Sequence, residues 1–140
     1  MFRVALDTNV LISAMAFGGS PAKIYDAWEN NDFVMVLSGY ILDEFARIAR
    51  DKVKFDPTRL NLALANFYSI AEIVEPLPVE HPDIFPNDWP ILGTAVAGKA
   101  GFLITGDKRI LKLKIFYETE IVSPRQFLNQ LLALGARKLK

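Results

Sequence analysis

Carboxylate chemistry is plentiful in this protein, while cysteine and histidine chemistry is not. Its 140 residues include 16 Asp and Glu, one histidine (His81) and no cysteine. Without cysteine there is no disulfide, thiolate zinc site or cysteine nucleophile. A single histidine also argues against a histidine-rich metal site or a Ser-His triad. Grouped carboxylates, by contrast, suit hard cations such as magnesium or manganese, which prefer oxygen ligands. Four acids stand where grouping is feasible. Asp7 follows the apolar run Phe2 to Leu6, and Asp107 follows Phe102 to Thr105 across Gly106. Glu44 lies in a helical stretch beginning at Tyr40, and Asp88 opens another that carries Ile91, Leu92 and Ala95.

Each acid also has a plainer reading. Asp is a common turn and cap residue, which accounts for Asp107 equally well. Asp7 is harder to dismiss, because an acid directly after a buried strand faces the crevice above the sheet. At about 100° per residue, Ile41, Phe45 and Ile48 mark the apolar stripe of their helix, with Leu42 and Ala49 on its flank. Asp43 projects opposite, beside Arg47 and Arg50, as an ordinary ion-pairing residue. Glu44 falls about 60° from Ile41, at the edge of the buried face. A carboxylate there is costly unless something positive meets it. The alternative is a surface Glu whose stem runs along that edge. Asp88 reads as a helix N-cap, with Pro90 early in the helix. That duty is compatible with metal binding, since the helix dipole favours negative charge there.

The elements that must position these acids alternate in type. Phe2 to Leu6 and Phe33 to Leu37 read as buried strands, as do Phe102 to Thr105 and Glu120 to Val122, with a short strand at Ile73-Val74. Between them, Val10 to Ala16 forms a short helix closed by Gly18-Gly19. Ser20-Pro21 supplies N-cap and N1 chemistry for a helix to Asn30. Tyr40 to Lys52 is helical, Asp56-Pro57 caps a helix to Ala71, and Asp88 to Ala97 is helical after the long loop. Ser123-Pro124 starts the closing helix. Glu75 to Pro90 holds five of the eight prolines and is the longest loop. Long loops in compact domains are often functional.

Strands apolar on both faces, alternating with helices, indicate a parallel sheet covered on both sides. The expected fold is α/β: a three-layer α/β/α sandwich with a central, mainly parallel sheet, in one domain over residues 1–140. Ligands in such sheets sit at the carboxyl ends of the strands, where Asp7 and Asp107 stand. With 51% apolar residues the chain fills one core, which excludes disorder. The longest apolar stretch, Ile91 to Thr105, is short of a membrane span and interrupted by Lys99. Asp7 so near the start argues against a signal peptide.

Formal net charge is zero, but unevenly spread. Residues 1–106 carry 13 acids and 8 bases, and residues 107–140 carry 3 acids and 8 bases. Lys108, Arg109, Lys112 and Lys114 cluster just after Asp107. They form either a solvated surface or a basic rim beside an acidic site, suited to a polyanion.

Taken together, four segments resemble one known pattern. They are Asp7-Thr8-Asn9 after the first strand, Glu44 in the helix after Ser38, Asn87-Asp88 opening a helix, and Ile104-Thr105-Gly106-Asp107. Ile110-Leu111 and Ile121-Val122-Ser123-Pro124 follow in order. From Val4 to Leu128 the chain is similar to the PIN-domain ribonucleases, of the small single-domain kind found as toxins of toxin–antitoxin pairs. The resemblance implies a cluster of acids, Asp7, Glu44, Asp88 and Asp107, that holds divalent metal (Mg2+ or Mn2+) and hydrolyses RNA phosphodiester bonds. Asn9 and Thr105 are then polar supports around the cluster. Asp7, Glu44 and Asp107 ligate directly or through water, and Asp88 completes the shell or orients the attacking water. Products with a 5′-phosphate and a 3′-hydroxyl are expected. Two positions depart from the family pattern: Trp89 and Phe85 stand where many members carry acids.

Converging carboxylates repel by about 4 kcal/mol per pair at 4 Å for an effective dielectric near 20. A magnesium ion relieves that repulsion, acidifies a water and offsets charge developing on a phosphodiester. Rival readings fit less well. A haloacid-dehalogenase phosphatase needs a second Asp at position 9, which is Asn9, and a receiver domain needs an acidic pair that Asp7-Thr8 is not. A PIN-like module that binds RNA or protein with little or no turnover stays open as the alternative. Trp28, Phe45, Phe55 and Phe67 are spaced as core residues, and His81 as a surface histidine. Trp89, beside Asp88, is either core packing or a stacking surface for a substrate base. Expected partners are an RNA substrate, an antitoxin protein and a second copy of the chain in a homodimer, with no membrane and a cytoplasmic location.

Overall fold

The computed structural model describes the backbone of residues 1–139 and the side chains of residues 1–135. The chain opens with β1 (Arg3–Leu6), α1 (Thr8–Ala16), α2 (Gly19–Glu29) and β2 (Val34–Leu37). Then come α3 (Gly39–Asp51), α4 (Pro57–Ile70), β3 (Glu72–Ile73), α5 (Trp89–Ala97) and β4 (Phe102–Ile104). It closes with α6 (Lys108–Leu111), β5 (Ile115–Phe116), β6 (Thr119–Val122) and α7 (Pro124–Leu139).

The strands form one sheet in the order β3-β2-β1-β4-β6-β5. Every pairing is parallel except β5 with β6. From β1 the chain steps outward to β2 and β3, then crosses back to place β4 on the other side of β1. The carboxyl ends of β1 and β4 therefore flank the point where the order reverses, which is where open α/β sheets bind ligands. Leu6 pairs with Ile104 at that point, so Asp7 and Thr105 leave the sheet side by side.

Helices α7, α2, α1, α3 and α4 pack side by side as one layer, and α5 lies across β2, β1 and β4. Val4, Ala5 and Leu6 of β1 and Leu103 and Ile104 of β4 are almost wholly buried between the layers. The expected aromatic core is present: Phe45 and Phe67 are fully buried, Trp28 and Phe55 nearly so, and Trp28 stacks on Phe67 at 5.6 Å. No described helix is long and apolar enough to cross a membrane.

Local chemistry sets most boundaries. Ser38 accepts from Ile41 N and Asp56 from Arg59 N, capping α3 and α4. Ser123 Oγ accepts from Gln126 N while Gln126 Oε1 accepts from Ser123 N, a reciprocal cap for α7. Ser20 does not cap α2, however. Gly18 and Gly19 take positive φ of 78° and 71°, which lets α2 start two residues earlier, at Gly19 with Gly18 in the N-cap position. The sequence reading also left out α6 and the edge strand β5, both too short for periodicity to register.

The proline-rich segment is seated on α5 by its backbone. Leu77 N donates to Gly93 O at 3.1 Å, and a Cβ at Gly93 would lie 2.2 Å from Leu77 O. Gly93→Ala must displace that segment, at about 3 kcal/mol of overpacking. A helix-propensity gain of about 1 kcal/mol offsets part of this, for a net loss of about 2 kcal/mol. Thermal melting checks it: a Gly93→Ala variant as stable as wild type would show that the segment is not held there.

Candidate functional site

At the end of β1, Asp7 is 7% exposed. Its backbone N donates to Ile104 O at 3.0 Å, which locks it to the neighbouring strand. Its Oδ2 accepts from Thr105 Oγ1 at 2.8 Å. The same Thr105 hydroxyl accepts from Asp107 N at 3.1 Å, so one fully buried threonine orients two of the four acids. Burial pushes the Asp7 carboxyl above its ordinary range, the Thr105 hydrogen bond opposes that shift, and the charges of Asp88 and Asp107 add to it.

Asp88 ends a 3₁₀ turn, Pro86–Asp88, and occupies the N-cap position of α5. Its side chain makes no capping hydrogen bond, so the expected cap duty is not what occupies this carboxylate. Burial raises its pKa first, and the charges of Asp107 and Glu44 raise it further. Asp107 does cap: Oδ1 accepts from Arg109 N at 2.8 Å and Ile110 N at 3.3 Å at the start of α6, with the side chain exposed.

Glu44 is half-buried and finds its positive partner in Arg47, one turn along α3. This corrects the ion pairs read from the sequence. Arg47 takes Glu44 and Arg50 takes Asp51, which leaves Asp43 without a salt bridge among the described residues. Residues three and four apart are both neighbours on a helix, so spacing allowed Arg47 either acid and its rotamer selects Glu44.

Electrostatic influence links Asp7 to Asp88 and Asp107, and Asp88 to Asp107 and Glu44. No described salt bridge reaches Asp7, Asp88 or Asp107. Among the described residues, no three acids or histidines are close enough to form a ready-made metal cage. The donor set is nonetheless of the right kind: oxygen donors only, partly desolvated, and with a base paired to Glu44 alone among the four. It fits a hard divalent cation that keeps some of its water. Thr8, next to Asp7, adds a buried hydroxyl with no protein hydrogen-bond partner.

The remaining residues singled out from the sequence are dispersed around this centre. Asn9 is exposed in the first turn of α1. Lys108 and Arg109 lie in α6, Lys112 ends it and Lys114 precedes β5, all four exposed. Trp89 is half-buried, and its indole N–H donates to Ile84 O at 3.0 Å and His81 O at 3.2 Å. His81 is half-buried too, more enclosed than the surface position expected, with Nδ1 accepting from Asp83 N.

Two features escaped the sequence reading. The Tyr40 hydroxyl donates to Asn87 O, joining the first turn of α3 to the turn that carries Asp88. Burial raises the phenol's pKa, and Glu44 and Asp88 add to that. The signal was available, since Tyr40 lies four residues before Glu44 and so shares its face. The Ser38 and Thr94 hydroxyls, both fully buried, bond at 2.8 Å and tie α3 to α5. That contact spans 56 residues, which no local pattern reveals.

Thr105→Val removes the hydroxyl between Asp7 and Asp107 at nearly constant volume. Leaving a buried acceptor without its donor costs about 1–3 kcal/mol. A stability loss of about 1–2 kcal/mol is therefore expected in chemical denaturation. A variant as stable as wild type would mean that this hydrogen bond contributes little.

Residues 3–109 match the family model described as PIN domain. None of the curated proteins matches the chain. Among solved structures, the chain is similar in fold to one in the crystal structure of VapBC2 from Rickettsia felis bound to a DNA fragment from their promoter. The TM-score is 0.57 at 18% identity, covering 87% of this chain and 98% of that one.

Proposed function

The chain belongs to the PIN-domain family, whose members are generally nucleases that use divalent metal ions, and from that premise we propose that it is a metal-dependent ribonuclease acting as the toxin of a toxin–antitoxin pair. One observation carries the reading. Asp7, Asp88 and Asp107, from three separate segments, influence one another electrostatically near the carboxyl end of β1 with no described base paired to them, and Glu44 from a fourth segment acts on Asp88. Packing alone gives no reason to gather acids there, because each raises the cost of ionising the next.

In this proposal Asp7, Asp88, Asp107 and Glu44 would hold Mg2+ or Mn2+, partly through water. The ion supplies Lewis acidity, which yields an acidified water and a counter-charge for the phosphodiester. Thr105 keeps Asp7 Oδ2 engaged and so fixes the direction of its other oxygen. Asp88, whose carboxylate is not spent on capping, orients the attacking water and accepts its proton. Asp107 holds its place through the α6 cap. Lys108, Arg109, Lys112 and Lys114 steer the polyanion towards a crevice that would otherwise repel it. The VapBC2 neighbour was solved as an assembly on DNA; for this chain the corresponding proposal is an antitoxin partner and a homodimer.

Chemistry at the product ends tests the reading. Water attack leaves a 5′-phosphate and a 3′-hydroxyl on RNA cut in the presence of Mn2+. A 2′,3′-cyclic phosphate would show attack by the RNA's own 2′-hydroxyl and would refute it. Binding of RNA without cleavage would favour the alternative module with no turnover.

A further inference from the structure

Two surfaces lead away from the acid cluster, and they differ in charge. One is a groove of about 700 Å³ walled by Tyr40, Trp89 and Leu77. Asp43, Glu75 and Glu80 line it and no Lys or Arg does, so a polyanion is repelled along that route. The other surface joins the turn before Asp88 to the helix after Asp107. There Phe85 is 55% exposed, and the Arg109 guanidinium carbon sits 4.4 Å above the centre of its ring.

Both members of this stack are tied by backbone to an acid of the cluster. Asp88 N donates to Phe85 O at 2.9 Å, and Arg109 N donates to Asp107 Oδ1 at 2.8 Å. A planar cation held over an aromatic ring keeps its N–H groups free for phosphate and loses less freedom on binding than a loose arginine. With more than half of Phe85 exposed, ring surface remains open to a second planar group. Trp89 offers no such surface as freely, since its N–H is bound into the proline-rich segment.

We propose that the Phe85–Arg109 pair is a nucleobase-binding step beside the acid cluster. Phe85 stacks the base of the nucleotide adjoining the scissile phosphate, and Arg109 holds the backbone. The pair thereby favours a purine, with its larger face, next to the cut. This rests on the ribonuclease reading above and deepens it.

The test uses the full chain and fluorescein-labelled oligo(A) and oligo(U) RNA, with anisotropy read in EDTA and cleavage of a mixed RNA mapped in Mn2+. Phe85→Ala should weaken oligo(A) binding about fivefold or more. It should weaken oligo(U) less, leave the salt dependence unchanged and erase the purine preference at mapped cuts. Phe85→Leu should behave like Phe85→Ala, and Phe85→Trp like wild type. Arg109→Ala should lower the log–log salt slope by about 0.7. If Phe85→Leu keeps wild-type affinities and cut sites, the ring only props the loop and the step is overturned, even though wild type cleaves RNA. If wild type neither binds nor cleaves either RNA, the ribonuclease reading falls and takes the step with it.

Discussion

Asp7→Asn is expected to lower RNA cleavage at least a hundredfold, about 2.7 kcal/mol of activation free energy, without unfolding the protein. The substitution is nearly isosteric. One amide oxygen still accepts from the buried Thr105 hydroxyl, so the backbone bond to Ile104 and the strand pairing persist. What is lost is the charge at the most enclosed donor of the cluster. Stability should move the other way. The native Asp7 carboxyl holds its proton to higher pH than the unfolded one, because burial and neighbouring acids disfavour the anion. The native state then binds more protons than the unfolded one between the two pKa values, and stability falls as pH rises through the native pKa. Without metal at pH 8, Asp7→Asn should therefore melt above wild type. Undiminished cleavage by Asp7→Asn, from preparations free of contaminating nuclease, would remove Asp7 from the chemistry.

Millimolar Mn2+ should raise the melting temperature of wild type. A ligand that binds only the native state adds RT ln(1 + [L]/Kd), about 2.7 kcal/mol at a hundred times Kd. The shift should be far smaller in a Glu44→Gln, Asp107→Asn double variant, which loses two of the four donors. It should also shrink as pH falls into the carboxylate range, because the ion competes with protons that Asp7 and Asp88 retain to raised pH. Equal shifts in wild type and the double variant would place the ion elsewhere.

The fold and the positions of the acids were largely legible in the chain itself, for identifiable reasons. Buried parallel strands are apolar on both faces, so Val4 to Leu6 and Phe102 to Ile104 stand out without any partner. The polar residues that end them, Asp7 and Thr105, mark the crevice. Order along the chain and the known family pattern then drew Glu44 and Asp88 into the same group. Short elements escaped: α6 spans four residues and β5 two, about a single period each, so no repeat can register. Contacts between distant segments escaped as well. Whether Arg47 meets Asp43 or Glu44 depends on rotamers, and whether Asp88 caps its helix depends on the turn before it. The Thr94–Ser38 bond and the Arg109–Phe85 stack join residues 56 and 24 apart, so only the assembled sheet brings them together.

The most direct measurement is the cleavage of one end-labelled RNA by purified protein, first in EDTA and then after Mn2+ is restored in excess. A metal-dependent ribonuclease built on these acids gives no cleavage in EDTA, full cleavage once Mn2+ returns, and at most a hundredth of that rate for Asp7→Asn under the same conditions. Cleavage that continues undiminished in EDTA, or none in Mn2+ or Mg2+ from folded protein, would contradict it.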